Sequence, residues 1–259
     1  MYETILFELT GSIATITLNR PDVFNAVNEK LTYELQDALK QVAKNDEMRA
    51  LIFTGTGKAF CAGQDLKEAA GLENRSLSES LHKRYNPVIR AMRDLPKPII
   101  CKLNGIAAGA GCSLALACDV IVASEAASLT ELFINIGLVP DSGSSFFLPR
   151  MVGSLKAFEL CTLGTKISAH DALELGLVNQ VVTAEGLDKV VNQLAARYAA
   201  APTKAIGLIK KMLQKSTAST LDQMLEYEAY CQEIAGKTED FREGVTAFLE
   251  KRAPQFTGK

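Results

Sequence analysis

Apolar residues recur in two rhythms along this 259-residue chain. Up to residue 182, short β-rich runs alternate with stretches of helical spacing. Ile5–Leu9 and Ile13–Leu18 are strand-like, and Thr10-Gly11-Ser12 between them predicts a hairpin turn. Leu31, Leu35, Leu39 and Val42 are spaced for one face of a helix within Val27–Asn45. Ala50–Thr54 predicts a buried strand closed by Gly55-Thr56-Gly57. Ser76–Leu95 predicts a helix, with Ser76 as cap, Glu79 three residues on, and Pro87 as an interruption. Strands are expected at 98–103, 120–123 and in the short segment 176–182, and helices at 144–151, 155–163, 169–174 and 187–199. From Pro202 the strand rhythm stops, and helices are expected near 203–215, 219–235 and 239–251. Alternating strands and helices argue an α/β core. Residues 1–200 are read as that core and 201–259 as a helical region packed on it, since no flexible linker separates them.

One stretch interrupts both rhythms. Asn104–Asp119 reads NGIAAGAGCSLALACD: a polar turn, a run of very small residues, then an apolar segment. It follows the expected strand at 98–103, so the pattern is strand, small-residue loop, buried helix. The first N–H groups of a helix have no intrahelical partner, and small side chains let a ligand oxygen approach them. Such a loop could be an anion or oxyanion site, or simply a helix packed tightly against a neighbour. Lys58–Leu66, with Cys61-Ala62-Gly63-Gln64-Asp65, reads as a second loop of the same kind.

Composition narrows the function classes. Apolar content of 47% and charged content of 22% suit a water-soluble globular protein, and a net charge of −2 offers nothing to attract nucleic acid or an anionic membrane. No apolar run reaches membrane-spanning length, and Met1-Tyr2-Glu3 leads into the first strand without the basic and apolar regions of a secretory signal. A cytoplasmic location is expected. The six cysteines form no C-x-x-C pair and sit among apolar neighbours, so they read as reduced packing residues. With two histidines, His82 and His170, outside any ligand-spaced cluster, no metal is expected.

Phe60-Cys61-Ala62-Gly63-Gln64-Asp65-Leu66 taken with Asn104-Gly105 and Gly109-Ala110-Gly111-Cys112 closely resembles the crotonase (enoyl-CoA hydratase/isomerase) superfamily. Further matches follow in family order: Asn19-Arg20-Pro21 with Asn25-Ala26, Gly137-Leu138-Val139-Pro140, Thr162-Leu163-Gly164 with Ile167-Ser168-Ala169, Gly176-Leu177-Val178, and Glu243-Gly244 with Ala247-Phe248 and Lys251-Arg252. The resemblance implies a crotonase-like spiral of ββα units, two nearly perpendicular sheets, and a C-terminal helical region that trimerises, often as a dimer of trimers. It implies an acyl-CoA thioester substrate and no separate cofactor, coenzyme A being part of the substrate. The amides of Gln64 and Ala110 would then form an oxyanion hole for the thioester oxygen. Arg20, Asn25 and Ala26 would line the adenine and pantetheine side, Ala62, Asp65 and Leu66 would surround the pantetheine, and Phe248 and Lys251 would reach coenzyme A bound to a neighbouring subunit. A solvated helix end is an equal reading of Lys251.

The chain departs from the hydratase pattern. The register of Gly111-Cys112 and of Gly137 to Pro140 puts Ser113 and Phe133 where hydratases carry their two glutamates. Glu131 lies two residues early. Asp141 stands where hydratases usually carry glycine, and an acid there resembles the isomerase branches, those acting on ring-1,2-epoxyphenylacetyl-CoA and Δ3,Δ2-enoyl-CoA. A turn or cap before the helix at 144 is the other reading of Asp141. With both glutamates gone, the residues favour an isomerase in which Asp141 moves one proton, in a pocket with Phe133, Phe146 and Phe147 as wall candidates. A dehalogenase branch also uses an Asp there, beside tryptophan, and this chain has no Trp. Enoyl-CoA hydratase, and a non-catalytic acyl-CoA-binding subunit of a partner hydratase, stay open.

Overall fold

A computed structural model describes residues 2–70 and 76–259. The expected hairpin forms from β1 (Ile5–Thr10) and β2 (Ile13–Leu18), antiparallel with Ile5 opposite Leu18 and Thr10 opposite Ile13. The helix α1 (Glu29–Lys44) starts where Asn28 accepts a hydrogen bond from the Leu31 amide, and it buries Leu31, Leu35, Ala38, Leu39 and Val42. The strand β3 (Ala50–Gly55) follows, buried at every residue. Beyond it come β4 (Ala59–Cys61) and α2 (Leu66–Ala70). Next are α3 (Leu77–Ser80), a π turn over Leu81–Tyr85, and α4 (Asn86–Asp94). Pro87 is the second residue of α4, which continues directly from the π turn, so its missing N–H falls where the winding changes. The expected interruption is therefore a change of winding just ahead of the proline.

The middle of the chain builds the rest of both sheets. In order come β5 (Ile99–Leu103), β6 (Ile106–Ala108), α5 (Ala110–Leu116), β7 (Val120–Ser124) and β8 (Ser128–Thr130). Then follow α6 (Ser144–Leu163), β9 (Ile167–Ser168), α7 (Ala169–Glu174), β10 (Gln180–Val182) and α8 (Ala184–Ala199). Helix α6 is broken at Gly153, whose φ of 77° and ψ of 163° are not helical, so the two helices read from the sequence are both present. The larger sheet has the order β1-β2-β3-β5-β7-β10, parallel from β2 onward. Alternate residues serve its two faces. Leu51, Phe53, Ile99, Cys101 and Ile121 join the main core, while Ala50, Ile52, Ile100 and Val122 pack against Leu187, Val191 and Ala195 of α8.

The smaller sheet, β4-β6-β8-β9, corrects the sequence reading. Residues 58–66 and the start of the 104–119 stretch were expected to be loops, yet each contains a strand of three residues. A three-residue strand is too short to show a two-residue period, and its residues are held by neighbours in space.

The last helices are α9 (Thr203–Ser216), α10 (Leu221–Gly236) and α11 (Glu239–Leu249). Buried Lys210 fastens α9 to the core, donating to Asp119 Oδ2 at 2.7 Å and to the Met92 carbonyl at 2.9 Å. Arg49 reaches the carbonyls of Ala201 and Phe256 at 2.6 and 2.8 Å. Among the described residues, no helix is long and apolar enough to cross a membrane, and no cluster of His, Cys, Asp and Glu could hold a metal ion.

Candidate active site

The small sheet carries the site. Its strands β4 and β6 run parallel and deliver two loops to the same place. Ala62, Gly63, Gln64 and Leu66 after β4, Gly109 and Ala110 after β6, and residues from Leu132 to Asp141 before α6 enclose a cavity of about 190 Å³.

The two loops meet backbone to backbone. Gly63 has φ of +92°, and a Cβ there would lie 2.7 Å from the Ala108 carbonyl oxygen, so this position takes no side chain. Val27 donates to the Gly63 carbonyl at 2.7 Å, and Asp65 donates to the Val27 carbonyl at 2.9 Å. In a parallel bridge this pattern turns the intervening N–H, that of Gln64, away from Val27. The Gly109 amide donates to Thr130, while Ala110 begins α5, where an N–H has no intrahelical acceptor. The amides of Gln64 and Ala110 thus belong to residues bordering one cavity, with neither drawn into these backbone ladders.

The cavity wall is apolar, from Leu66, Leu132, Phe133, Ile136 and Leu138. Phe146 and Phe147 do not line it, which corrects their expected placement. Phe147 is buried against Gly143, and Phe146 is half exposed under the Arg150 guanidinium, 3.6 Å from the ring centroid.

Asp141 is the one carboxyl among the described residues lining the cavity. Burial raises its pKa above the ordinary aspartate range, and the Ser142 hydroxyl, donating to Oδ1 at 2.7 Å, offsets part of the rise. Of the other reading, the cap does not hold, since Gly143 is the N-cap of α6 with no side-chain cap, but Asp141 does open a turn, its carbonyl accepting the Ser144 amide at 3.1 Å. Ser142 itself has φ of +51°, an uncommon conformation for serine.

Residues 8–259 match the family described as enoyl-CoA hydratase/isomerase. The chain belongs to the enoyl-CoA hydratase/isomerase family. It is 43% identical to 1,2-epoxyphenylacetyl-CoA isomerase of Escherichia coli, with all of both chains covered. It is 40% identical to a Rhodobacter capsulatus protein named probable enoyl-CoA hydratase, covering 100% of this chain and 99% of that one. The solved structure of enoyl-CoA hydratase from Bacillus anthracis superposes with a TM-score of 0.93 at 35% identity, covering 99% of this chain and 100% of that one. The crotonase fold is thereby established.

The remaining expected site residues divide into two groups. Ala62, Gln64, Leu66, Ala110 and Asp141 meet at the cavity. Arg20, Asn25, Ala26 and Asp65 form the frame beside it. Arg20 pairs with Asp65 Oδ2 at 2.9 Å and also donates to the Ala26 carbonyl. Burial alone would raise the Asp65 pKa, but the Arg20 bond and backbone amides bring it below the ordinary value. Asn25 is fully buried and ties the frame to β4, accepting from the Arg20 amide and donating to the carbonyls of Thr56 and Ala59. Phe248, 82% exposed on α11, and exposed Lys251 are not among the cavity residues of their own chain.

Behind the cavity lies a group that register alone set aside. Glu131 is 1% exposed, and burial raises its pKa to about 7, the Ser144 hydroxyl and Cys112 thiol opposing the rise and the Asp141 charge adding to it. Ser144 Oγ donates to Glu131 Oε1 at 2.8 Å in the ionised form, and Ser113 Oγ lies 2.7 Å from Ser144 Oγ. A lone carboxylate between two apolar runs was the only sequence signal for it.

Proposed function

We propose that this protein is an acyl-CoA isomerase in which Asp141 carries the proton. The carrying observation is that Asp141 is the single carboxyl among the described residues lining a cavity that Gln64 and Ala110 also line. Ser113 and Phe133 stand at the two places where the family resemblance puts the hydratase glutamates. Phe133 is part of the apolar wall, and Ser113 is fully buried in a hydroxyl chain. Neither can hold a water as a base.

In this mechanism the two amides donate to the thioester oxygen and stabilise the charge that develops as a proton leaves carbon. One such donor is worth on the order of 3 kcal/mol in the transition state. The Asp141 carboxylate takes the proton from the α or γ carbon, leaving a dienolate, and returns it two carbons away. The apolar wall keeps water out and strengthens the base. With a ring epoxide, the same base and amides would assist opening and ring expansion. The substrate class is a 3-enoyl or ring-epoxide thioester of coenzyme A, and the 43% identity to an epoxyphenylacetyl-CoA isomerase supports it.

Incubating the purified protein with ring-epoxide, 3-enoyl and 2-enoyl thioesters side by side tests this reading. Double-bond migration or ring expansion is expected. Hydration of the 2-enoyl thioester as the dominant reaction would overturn it.

A further inference from the structure

The hydroxyl chain behind the cavity ends on the main chain of Asp141. Ser113 Oγ lies 3.1 Å from the Asp141 carbonyl oxygen and 3.3 Å from that of Gly109, and the Asp141 carbonyl also accepts the Ser144 amide at 3.1 Å. At the other end Glu131 Oε2 is buried without a hydrogen bond.

Counting protons fixes what this chain can do. Each serine hydroxyl has one proton to donate. With Glu131 ionised, Ser144 donates to Oε1, so Ser113 must donate to Ser144. The Asp141 carbonyl then keeps only the Ser144 amide. With Glu131 neutral and its proton on Oε1, Ser144 Oγ is the acceptor 2.8 Å away. Glu131 then donates to Ser144, Ser144 to Ser113, and Ser113 to the Asp141 carbonyl, the shorter of its two carbonyl contacts. Reversing one proton reverses every link.

We propose that Glu131 is a positioning residue for Asp141: its protonation sets the direction in which Ser144 and Ser113 donate, and so whether the Asp141 carbonyl is held by the Ser113 hydroxyl. The chain stops at the main-chain carbonyl, so it holds the base without exchanging protons with the substrate. The titratable groups acting on Glu131 are Cys112 on α5, Asp141 ahead of α6, and Cys161 within α6, none of them cationic. Burial keeps the neutral acid populated into the neutral range, where the reversal would occur. The catalytic meaning of this device rests on Asp141 being the base, but the device itself can be read without substrate.

The test uses a label that sequence makes unique. Asn–Ser occurs nowhere in the natural chain, so D141N creates a single such pair and also removes the titration of Asp141 itself. With carbonyl-13C asparagine and 15N serine, the full-length protein gives one carbonyl–amide cross-peak from position 141. It is expected to move through the neutral pH range in D141N, and to stay fixed in D141N/E131Q and in D141N/S144A. In the E131Q protein the amide nitrogen donates to Ser144 at every pH. A cross-peak static in D141N, or one that titrates equally in D141N/E131Q, overturns the proposal. If D141N/E131Q does not fold, D141N/S144A decides. In enzyme carrying Asp141, isomerisation by E131Q should exceed wild type above neutral pH by roughly fivefold, the factor carried by one neutral hydrogen bond, and match it below. A wild-type protein without isomerase activity would refute the proposed function and leave the cross-peak to judge Glu131.

Discussion

Asp141→Asn separates the two roles an aspartate can have ahead of a helix. As a cap, its loss would cost about 1 kcal/mol of stability. The structure removes that role, since Gly143 caps α6 and the Asp141 carboxylate accepts only from Ser142 among the described residues. The amide oxygen of Asn can still accept the Ser142 hydroxyl. Replacing a desolvated carboxylate by a neutral amide should leave the unfolding midpoint at neutral pH unchanged or slightly raised. The rate should behave differently. A lost general base costs roughly 10²–10⁴-fold, equivalent to about 3–5 kcal/mol of barrier at 1.36 kcal/mol per tenfold. The assay is wash-in of solvent deuterium at the substrate α and γ carbons, run beside binding of the acyl-CoA. The variant should bind, fold and fail to exchange. Wild-type exchange should also fall on the acid side through a pKa above the ordinary aspartate range, because protonation removes the base. Exchange in Asp141→Asn within tenfold of wild type would remove Asp141 from the mechanism.

Ser113→Ala should keep isomerisation within a few-fold of wild type, because Ser113 touches the base only through a main-chain carbonyl; a thousandfold loss in steady-state rate would make it the proton carrier. Glu131 shifts from 4.5 to about 7 on folding, a raised value, so its stability contribution is present below pH 4.5 and lost as pH rises to about 7. Urea denaturation at fixed protein concentration should show wild type losing on the order of 3 kcal/mol relative to E131Q across that window, and parallel pH curves for the two proteins would contradict the burial argument. Ile209, Leu213, Leu221, Leu225 and Phe241 are exposed on α9, α10 and α11, an apolar surface that a trimer or hexamer would cover. Light scattering at micromolar protein should find that assembly, and a monomer there would refute it.

Much of the fold was legible in the order of residues. Strands β1, β2, β3, β5 and β7 and the long helices are runs of five or more residues whose apolar period is complete within the run, so local pattern suffices. Both small-residue loops at the cavity could be located because their close approach requires backbone without side chains, and glycine and alanine advertise that requirement. Asp141 could be singled out by its register with Pro140.

Other features depended on contacts between distant segments. The small sheet has strands of two or three residues, each held by hydrogen bonds to its neighbours, so no window of sequence contains its reason for being extended. Phe146 and Phe147 are as apolar as Phe133, but only the packing of their separate segments decides which ring meets the cavity. Glu131 looked out of register for chemistry. Only the fold brings it onto Ser144, and Ser144 onto Ser113, three positions from three separate segments. Periodicity records which side of an element is buried. It does not record which buried groups touch, because a hydrogen bond depends on distances that only the packed chain defines.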